Sequence, residues 1–261
     1  MNTLNNINLE EIVAIAKEAG DAIMKIYRKD FSVEYKEDDS PLTEADTKAN
    51  EIICKALFEL YPEIPMLSEE NKEVPYKERK EWKYYWCIDP IDGTKEFIKK
   101  NGEFTVNIAL IHKDTPVLGV VYAPAIDEMY KAKKGNGAYK NNQKLPLKTN
   151  TNPEKKLTVV ASKSHLSKET QEFIDKLDTE EIEQISRGSS LKLCMVAVGE
   201  ADIYPRLAPT MEWDTAAADA IVRESGKMTY AKEEEKPMVY NKENLLNPWF
   251  VVKNNNRKDK K

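Results

Sequence analysis

Between Leu9 and Tyr27 the apolar residues Leu9, Ile12, Val13, Ala16, Ala19, Ile23, Ile26 and Tyr27 recur at intervals of three and four. That spacing predicts an amphipathic helix with Asn8 as its cap. Val33 to Lys36 reads as a strand and Glu37 to Pro41 as a polar loop. A second helix opens at Thr43-Glu44-Ala45-Asp46, where Thr43 and Asp46 fit a capping box. It turns Ala49, Ile52, Ile53, Ala56, Leu57 and Leu60 inward, and Pro62 stops it. A short buried strand at Pro65-Met66-Leu67 is followed by a charged stretch to Lys83, expected on the surface.

Tyr84 to Ile88 then reads as a buried strand that delivers the chain into Asp89-Pro90-Ile91-Asp92-Gly93. The Asp, Pro and Gly content of that segment predicts a type I turn, after which Thr94 to Ile98 restarts as a short helix. Phe104–Ile111, Val117–Tyr122 and Glu128–Ala132 follow as strands, with a further hairpin punctuated by Gly135-Asn136-Gly137 and Asn141-Asn142, giving an antiparallel meander. From Leu157 the rhythm changes. Strands at Leu157–Ala161, Glu183–Ile185 and Ala201–Tyr204 alternate with helices at Lys168–Leu177, Ser189–Val198 and Trp213–Glu224, and Lys227–Tyr230 and Trp249–Val252 close the layer. Such alternation predicts an α/β arrangement of layered helices and sheets. The Thr/Asn/Pro/Lys stretch from Lys148 to Lys156 divides an N-terminal lobe, residues 1–150, from a C-terminal lobe, residues 151–261, whose end from Lys253 onward is polar and expected to fray.

Composition narrows the function classes. The chain has 261 residues, 33% of them charged, and 40 Lys+Arg against 45 Asp+Glu give a formal charge of −5. No basic cluster stands out, which argues against a nucleic-acid polymer as partner. No apolar run is long enough to span a bilayer and residues 1–8 lack a signal-peptide core, so a cytoplasmic location is expected. Cys54, Cys87 and Cys194 are widely spaced and predicted to be reduced and buried, while His112 ends a strand and His165 sits in a polar segment. With so few His and Cys, metal chemistry would run on oxygen ligands.

The acids that offer such ligands each have a plain structural explanation as well. Asp89 and Asp92 suit the turn, Asp214 suits the cap of the helix that follows it, Asp46 suits the capping box, and Glu69 and Glu70 suit a solvated loop. Asp89 and Asp92 at the end of a buried strand, with the Ile91 carbonyl between them, also form the donor set a hard divalent cation prefers. Sequence spacing alone leaves both readings open.

Glu69-Glu70, Asp89-Pro90-Ile91-Asp92-Gly93-Thr94 and Trp213-Asp214 resemble the three signature blocks of the inositol monophosphatase superfamily. Within it, Lys95-Glu96-Phe97-Ile98, Asn101-Gly102-Glu103-Phe104-Thr105-Val106-Asn107, Ser189-Ser190-Leu191-Lys192, Tyr204-Pro205-Arg206 and Leu246-Asn247-Pro248 resemble the CysQ-type 3′(2′),5′-bisphosphate nucleotidases. The resemblance implies the superfamily's alternating layers of helices and sheets. It implies that Glu69, Asp89, the Ile91 carbonyl, Asp92 and Asp214 hold two or three Mg²⁺ ions, and that Asp46 and Thr94, with Glu69 nearby, activate a water. The implied substrate is 3′-phosphoadenosine 5′-phosphate. Glu69, Ile91, Asp92, Gly93, Thr94 and Asp214 would surround its 3′-phosphate, and Ser189 within Gly188-Ser189-Ser190, Lys192 and Arg206 would meet the adenosine and 5′-phosphate. By the same analogy the protein would be cytoplasmic or peripheral on the cytoplasmic face of the inner membrane. Two alternatives stay open: an inositol-phosphate or sugar-phosphate phosphatase with the same metal core, and a catalytically silent nucleotide- or metal-binding regulator. Ala218, where relatives commonly carry Gly, implies a local packing adjustment.

Overall fold

The computed structural model describes residues 3–35, 41–162 and 166–254. The predicted loop at 37–40, His165 and the polar tail 255–261 lie outside the described residues. The chain opens with α1 (Thr3–Asn6), α2 (Leu9–Tyr27), β1 (Val33–Tyr35), β2 (Pro41–Thr43), α3 (Glu44–Leu60), β3 (Met66–Ser68) and α4 (Tyr76–Arg79). It continues through β4 (Tyr84–Asp92), α5 (Thr94–Ile98), β5 (Thr105–His112), β6 (Thr115–Ala123), β7 (Glu128–Lys133), β8 (Gly137–Lys140) and β9 (Gln143–Lys144). The second half holds β10 (Lys156–Ala161), α6 (Lys168–Asp175), β11 (Glu181–Ser186), α7 (Leu191–Val198), β12 (Ile203–Arg206), α8 (Glu212–Glu224), β13 (Lys227–Ala231), β14 (Lys236–Pro237) and β15 (Phe250–Asn254).

Strands β3 to β9 form one seven-stranded sheet in chain order, parallel only at β3–β4 and antiparallel from there on. The second sheet, in the order β11-β10-β12-β15-β13-β14, is parallel where helices connect its strands and antiparallel where hairpins and the long return do. Helices α2 and α3 cover one face of the first sheet, α7 and α8 fill the space between the sheets, and α6 packs outside the second. The expected layering is therefore present. The α2 cap is Asn8, whose side chain accepts from Glu10 N at 3.1 Å, and α3 is closed by the Thr43–Asp46 capping box, both as the sequence predicts.

Period-two alternation in β4 decides where its acids go. Tyr84, Trp86 and Ile88 enter the core beneath α2 and α3, while Tyr85 and Cys87 join the core shared with α8. Asp89, the next residue of that second set, therefore emerges on the α8 side. In β5, Ala109 and Ile111 face α8 and Val106, Ile108 and Leu110 face α2. Helix α8 approaches the sheet closely at Gly119 of β6: a Cβ there would sit 2.1 Å from the Ala217 carbonyl oxygen. Only a residue without a side chain lets the helix lie this low.

Three local expectations need correction. No turn follows Ile88; β4 stays extended through Asp92, with a register shift between Asp89 and Asp92, because pairing with β5 outweighs the turn propensity of Asp-Pro. The charged stretch before Lys83 is not all surface, since Arg79 is buried against the 241–243 segment, where carbonyls and an amide satisfy its guanidinium. The helix expected from Ser189 begins at Leu191, and Ser189 adopts φ +44° ahead of it. Cys87 and Cys194 are buried and Cys54 half-buried, all three unpaired.

Candidate active site

Three elements carry the acids to one point. Leu67 and Ser68 pair with Cys87 and Ile88, and the Glu69 amide extends the ladder to the Ile88 carbonyl at 3.1 Å. Glu69 and Asp89 thus leave neighbouring strands at the same level. Helix α8 arrives from above with Asp214 in its first turn. Asp214 is not the cap expected of it but the third helical residue, and its Oδ2 accepts from Met211 N at 2.8 Å, the reaching-back half of a capping box. Carboxylate oxygens of Glu69, Asp89 and Asp214 lie within 4.8 Å of one another.

The electrostatics fit a cation. Asp89 is buried and its Oδ1 has no hydrogen-bond partner. Burial first, then the charges of Glu69, Asp92 and Asp214, hold the Asp89 carboxyl well above the usual carboxylate range. Asp214 is raised in the same way, by burial and then by Asp92, with the Met211 amide opposing and Glu69 adding to the rise. A partnerless buried oxygen amid converging carboxylates is costly unless protons or a hard cation neutralise it, and all the donors are oxygen.

Asp92 stands apart from this trio. The register shift turns it toward α7, where its Oδ2 accepts from the Ser190 main-chain N–H. Burial raises its pKa to about 6, with the Lys192 ammonium and the Ser190 amide holding it down. Behind Ser190, buried polar side chains brace the contact: Ser190 Oγ donates to Asn107 Oδ1 at 2.9 Å and lies 2.9 Å from Thr105 Oγ1. Gly93 follows at φ +93°, a region that favours glycine, and lets the chain swing from β4 into α5. Thr94 Oγ1 then lies 3.1 Å from Asp46 Oδ1 and 3.2 Å from the Ile91 carbonyl oxygen. The other Asp46 oxygen accepts from Thr43 N at 2.8 Å and Thr43 Oγ1 at 2.6 Å, and burial raises its pKa despite these bonds. The residues expected to work on a water are thus joined, whereas the Ile91 carbonyl faces the Thr94 hydroxyl.

Beside the acids opens a cleft of about 270 Å³ whose walls include Asp92, Gly93, Ser189, Lys192, Arg206 and Asp214, drawn from both halves of the chain. Lys192 is almost fully buried there. Its Nζ donates to the Ser189 carbonyl at 2.7 Å and sits 5.8 Å from the Tyr204 ring centre. Burial lowers its pKa to about 8 against the pull of Asp92. Arg206 Nη2 donates to the Pro209 carbonyl at 3.1 Å, while its buried Nε has no partner. Arg187 and Glu103, paired at 3.2 Å, also line the cleft. Sequence reasoning missed these two, and it read Ser190 as a nucleotide contact where the structure has its amide bonding Asp92. A main-chain donor leaves no trace in side-chain chemistry, but Thr105 and Asn107, polar at alternate positions of an otherwise apolar strand, were a readable sign of a polar spot facing α7.

The chain also matches known proteins over nearly its whole length. The profile of the inositol monophosphatase family matches residues 7–259. The 3′(2′),5′-bisphosphate nucleotidase CysQ of Salmonella typhimurium is 45% identical over 246 residues, 94% of this chain and 98% of that protein. CysQ of Escherichia coli K12 is 44% identical over 247 residues, with the same coverage. The crystal structure of CysQ from Bacteroides thetaiotaomicron, a bacterial member of the inositol monophosphatase family, superposes with a TM-score of 0.86 at 44% identity and covers 96% of this chain and 98% of that one.

Proposed function

Since the chain belongs to the inositol monophosphatase family, we propose that it is a Mg²⁺-dependent 3′(2′),5′-bisphosphate nucleotidase that hydrolyses the 3′-phosphate of 3′-phosphoadenosine 5′-phosphate to give AMP and phosphate. The observation that carries the reading is the Glu69–Asp89–Asp214 trio, with its partnerless Asp89 oxygen, opening beside a cleft that holds a buried lysine and an arginine. Glu69, Asp89 and Asp214 hold the cation, with Asp92 and the Ile91 carbonyl extending the donor set toward the cleft. Bound Mg²⁺ supplies neutralisation of the phosphate monoester and a lowered pKa for the attacking water.

The protein's own groups do the rest. A water that donates to Thr94 Oγ1 loses its proton to that oxygen as the Thr94 hydroxyl proton passes to Asp46 Oδ1, 3.1 Å away. Burial raises the pKa of Asp46, which makes the ionised carboxylate a better base than a solvated one. Glu69 assists as one of the ligands of the cation that meets this water. Gly93 borders the 3′-phosphate position, and Lys192, Arg206 and Ser189 face the remaining 5′-phosphate and the adenosine across the cleft. A bisphosphate needs both ends of such a cleft; a monophosphate uses one.

The test is phosphate release from 3′-phosphoadenosine 5′-phosphate and from inositol 1-phosphate, measured side by side with Mg²⁺ and with EDTA. Faster, metal-dependent release from the nucleotide is expected. Faster turnover of inositol phosphate would reject the substrate, and undiminished release in EDTA would reject the metal mechanism.

A further inference from the structure

Leu246-Asn247-Pro248 has no place in the mechanism above, yet Asn247 is 5% exposed and fully engaged. Its main-chain N–H donates to the Thr210 carbonyl at 2.8 Å, and Met211 and Leu246 form a bridge beside it. Its side-chain Nδ2 donates to the Met211 carbonyl at 2.7 Å and to Thr215 Oγ1 at 3.0 Å. These are groups on either side of Asp214, at the start of α8 and within its first turn. A buried carboxylate, Glu212, ties the same segment from the helix side. It accepts from Asn241 N at 2.7 Å, from Lys242 N at 3.0 Å and from Lys242 Nζ at 2.6 Å. Arg79 fastens the far edge of the segment through Asn241 Oδ1 at 2.9 Å and the Lys242 and Glu243 carbonyls.

We propose that residues 240–247 are a strap that positions Asp214 for the metal, with Asn247 as its key positioning residue and the Glu212–Lys242 pair as its anchor. Asp214 sits in the first turn of α8, so a small tilt there moves its carboxylate relative to Glu69 and Asp89, which belong to a rigid sheet. The Asn247 amide prevents that tilt by bonding the carbonyl before the helix and the hydroxyl one turn into it. Lys242 does a second job. Glu212 is two residues from Asp214 and fully buried, and the ammonium fixes its carboxylate to the strap, away from the cation site. Arg79 also donates to the Val74 carbonyl at 2.9 Å, which ties the strap to the segment between Glu69 and α4.

The inference rests on the reading of Asp214 as a metal ligand, and its test separates the two. Mg²⁺ is titrated calorimetrically into the metal-free, full-length protein for wild type, Asp214→Asn, Asn247→Ala, Thr215→Val and Val251→Ala, with thermal unfolding recorded for each. Partners that orient a metal ligand change affinity by roughly tenfold or more when removed. Asn247→Ala is therefore expected to raise the Mg²⁺ dissociation constant about tenfold. Thr215→Val, which removes the hydroxyl that accepts from Asn247 and donates to the Glu212 carbonyl within the same turn, should shift it in the same direction. Val251→Ala, in the outer core beneath α6, lowers the unfolding temperature without moving the isotherm. If Asn247→Ala and Thr215→Val fall in step with Val251→Ala, losing stability but keeping wild-type affinity, the strap is only structural and the proposal is overturned. Should Asn247→Ala not fold, Thr215→Val decides alone. An unchanged isotherm for Asp214→Asn rejects the metal site itself.

Discussion

Asp89→Asn tests the electrostatics of the acid trio in two opposite directions. At 4.8 Å, the outer limit of the separations in this trio, each pair of full charges repels by about 3.5 kcal/mol at an effective dielectric of about 20. Two such pairs meet at Asp89, so removing its charge relieves on the order of 7 kcal/mol when all three acids are ionised. Protonation limits this in the metal-free protein. An acid whose folded pKa is raised keeps its proton in the folded protein after the unfolded chain has released it, so stability falls as pH climbs from the ordinary carboxylate range to the folded value. For Asp92 that window ends near 6, and the raised carboxyls of Asp89 and Asp214 act in the same direction. In EDTA, Asp89→Asn should therefore be more stable than wild type by about 1–3 kcal/mol once the acids ionise, and the gap should widen as pH rises and more of them lose their protons. In Mg²⁺ the gap should close or invert, because a ligand at a hundred times its dissociation constant stabilises wild type by about 2.7 kcal/mol and the variant lacks a donor for it. Urea unfolding followed by circular dichroism, in EDTA and in Mg²⁺ at pH 6, 7 and 9, measures both differences. A variant that is less stable than wild type in EDTA at every pH, or that gains as much from Mg²⁺, would refute the reasoning.

Three further substitutions probe separate parts of the site. Thr94→Val preserves shape but removes the hydroxyl between water and Asp46; kcat should fall by about 10²–10⁴ while the Mg²⁺ isotherm stays unchanged, and a loss confined to KM would contradict the assigned role. Lys192→Met removes the buried ammonium of the cleft, so KM for 3′-phosphoadenosine 5′-phosphate should rise roughly tenfold or more, with a smaller change for 3′-AMP, which lacks the 5′-phosphate; equal effects on both would move Lys192 to the 3′-phosphate. Gly119→Ala drives a methyl into the Ala217 carbonyl and should cost about 1–3 kcal/mol or more in urea unfolding; an unchanged midpoint would mean that α8 does not lie this close to the sheet.

Local order was legible along most of the chain. The three-and-four spacing of α2 and α3 and the apolar runs of β5 to β7 are patterns that neighbouring residues impose on one another, so they survive being read without a fold. The same holds for the capping box at Thr43 and Asp46, which spans a single turn. Asp89, Asp92, Glu69 and Asp214 could be named from the sequence, through resemblance and as oxygen donors, but each also had a sufficient local explanation. Asp-Pro-Ile-Asp-Gly looked like a turn because turn propensity is local. It became a bulged strand because the ladder with β5 contributes more hydrogen bonds than the turn can.

Neighbouring residues suffice for the inventory: which segments fold as helices and strands, and which side chains bear oxygen. Tertiary structure decided the geometry. The alternation in β4 sends Asp89 toward α8, the missing side chain at Gly119 lets α8 descend, and only then do Glu69, Asp89 and Asp214 share one point while Asp92 turns to the Ser190 amide. The burial of Arg79 in a charged stretch and the bracing of α8 by Asn247 belong to the same class. Contacts between distant segments depend on how layers pack, and packing is a property of whole surfaces that no stretch of chain carries alone.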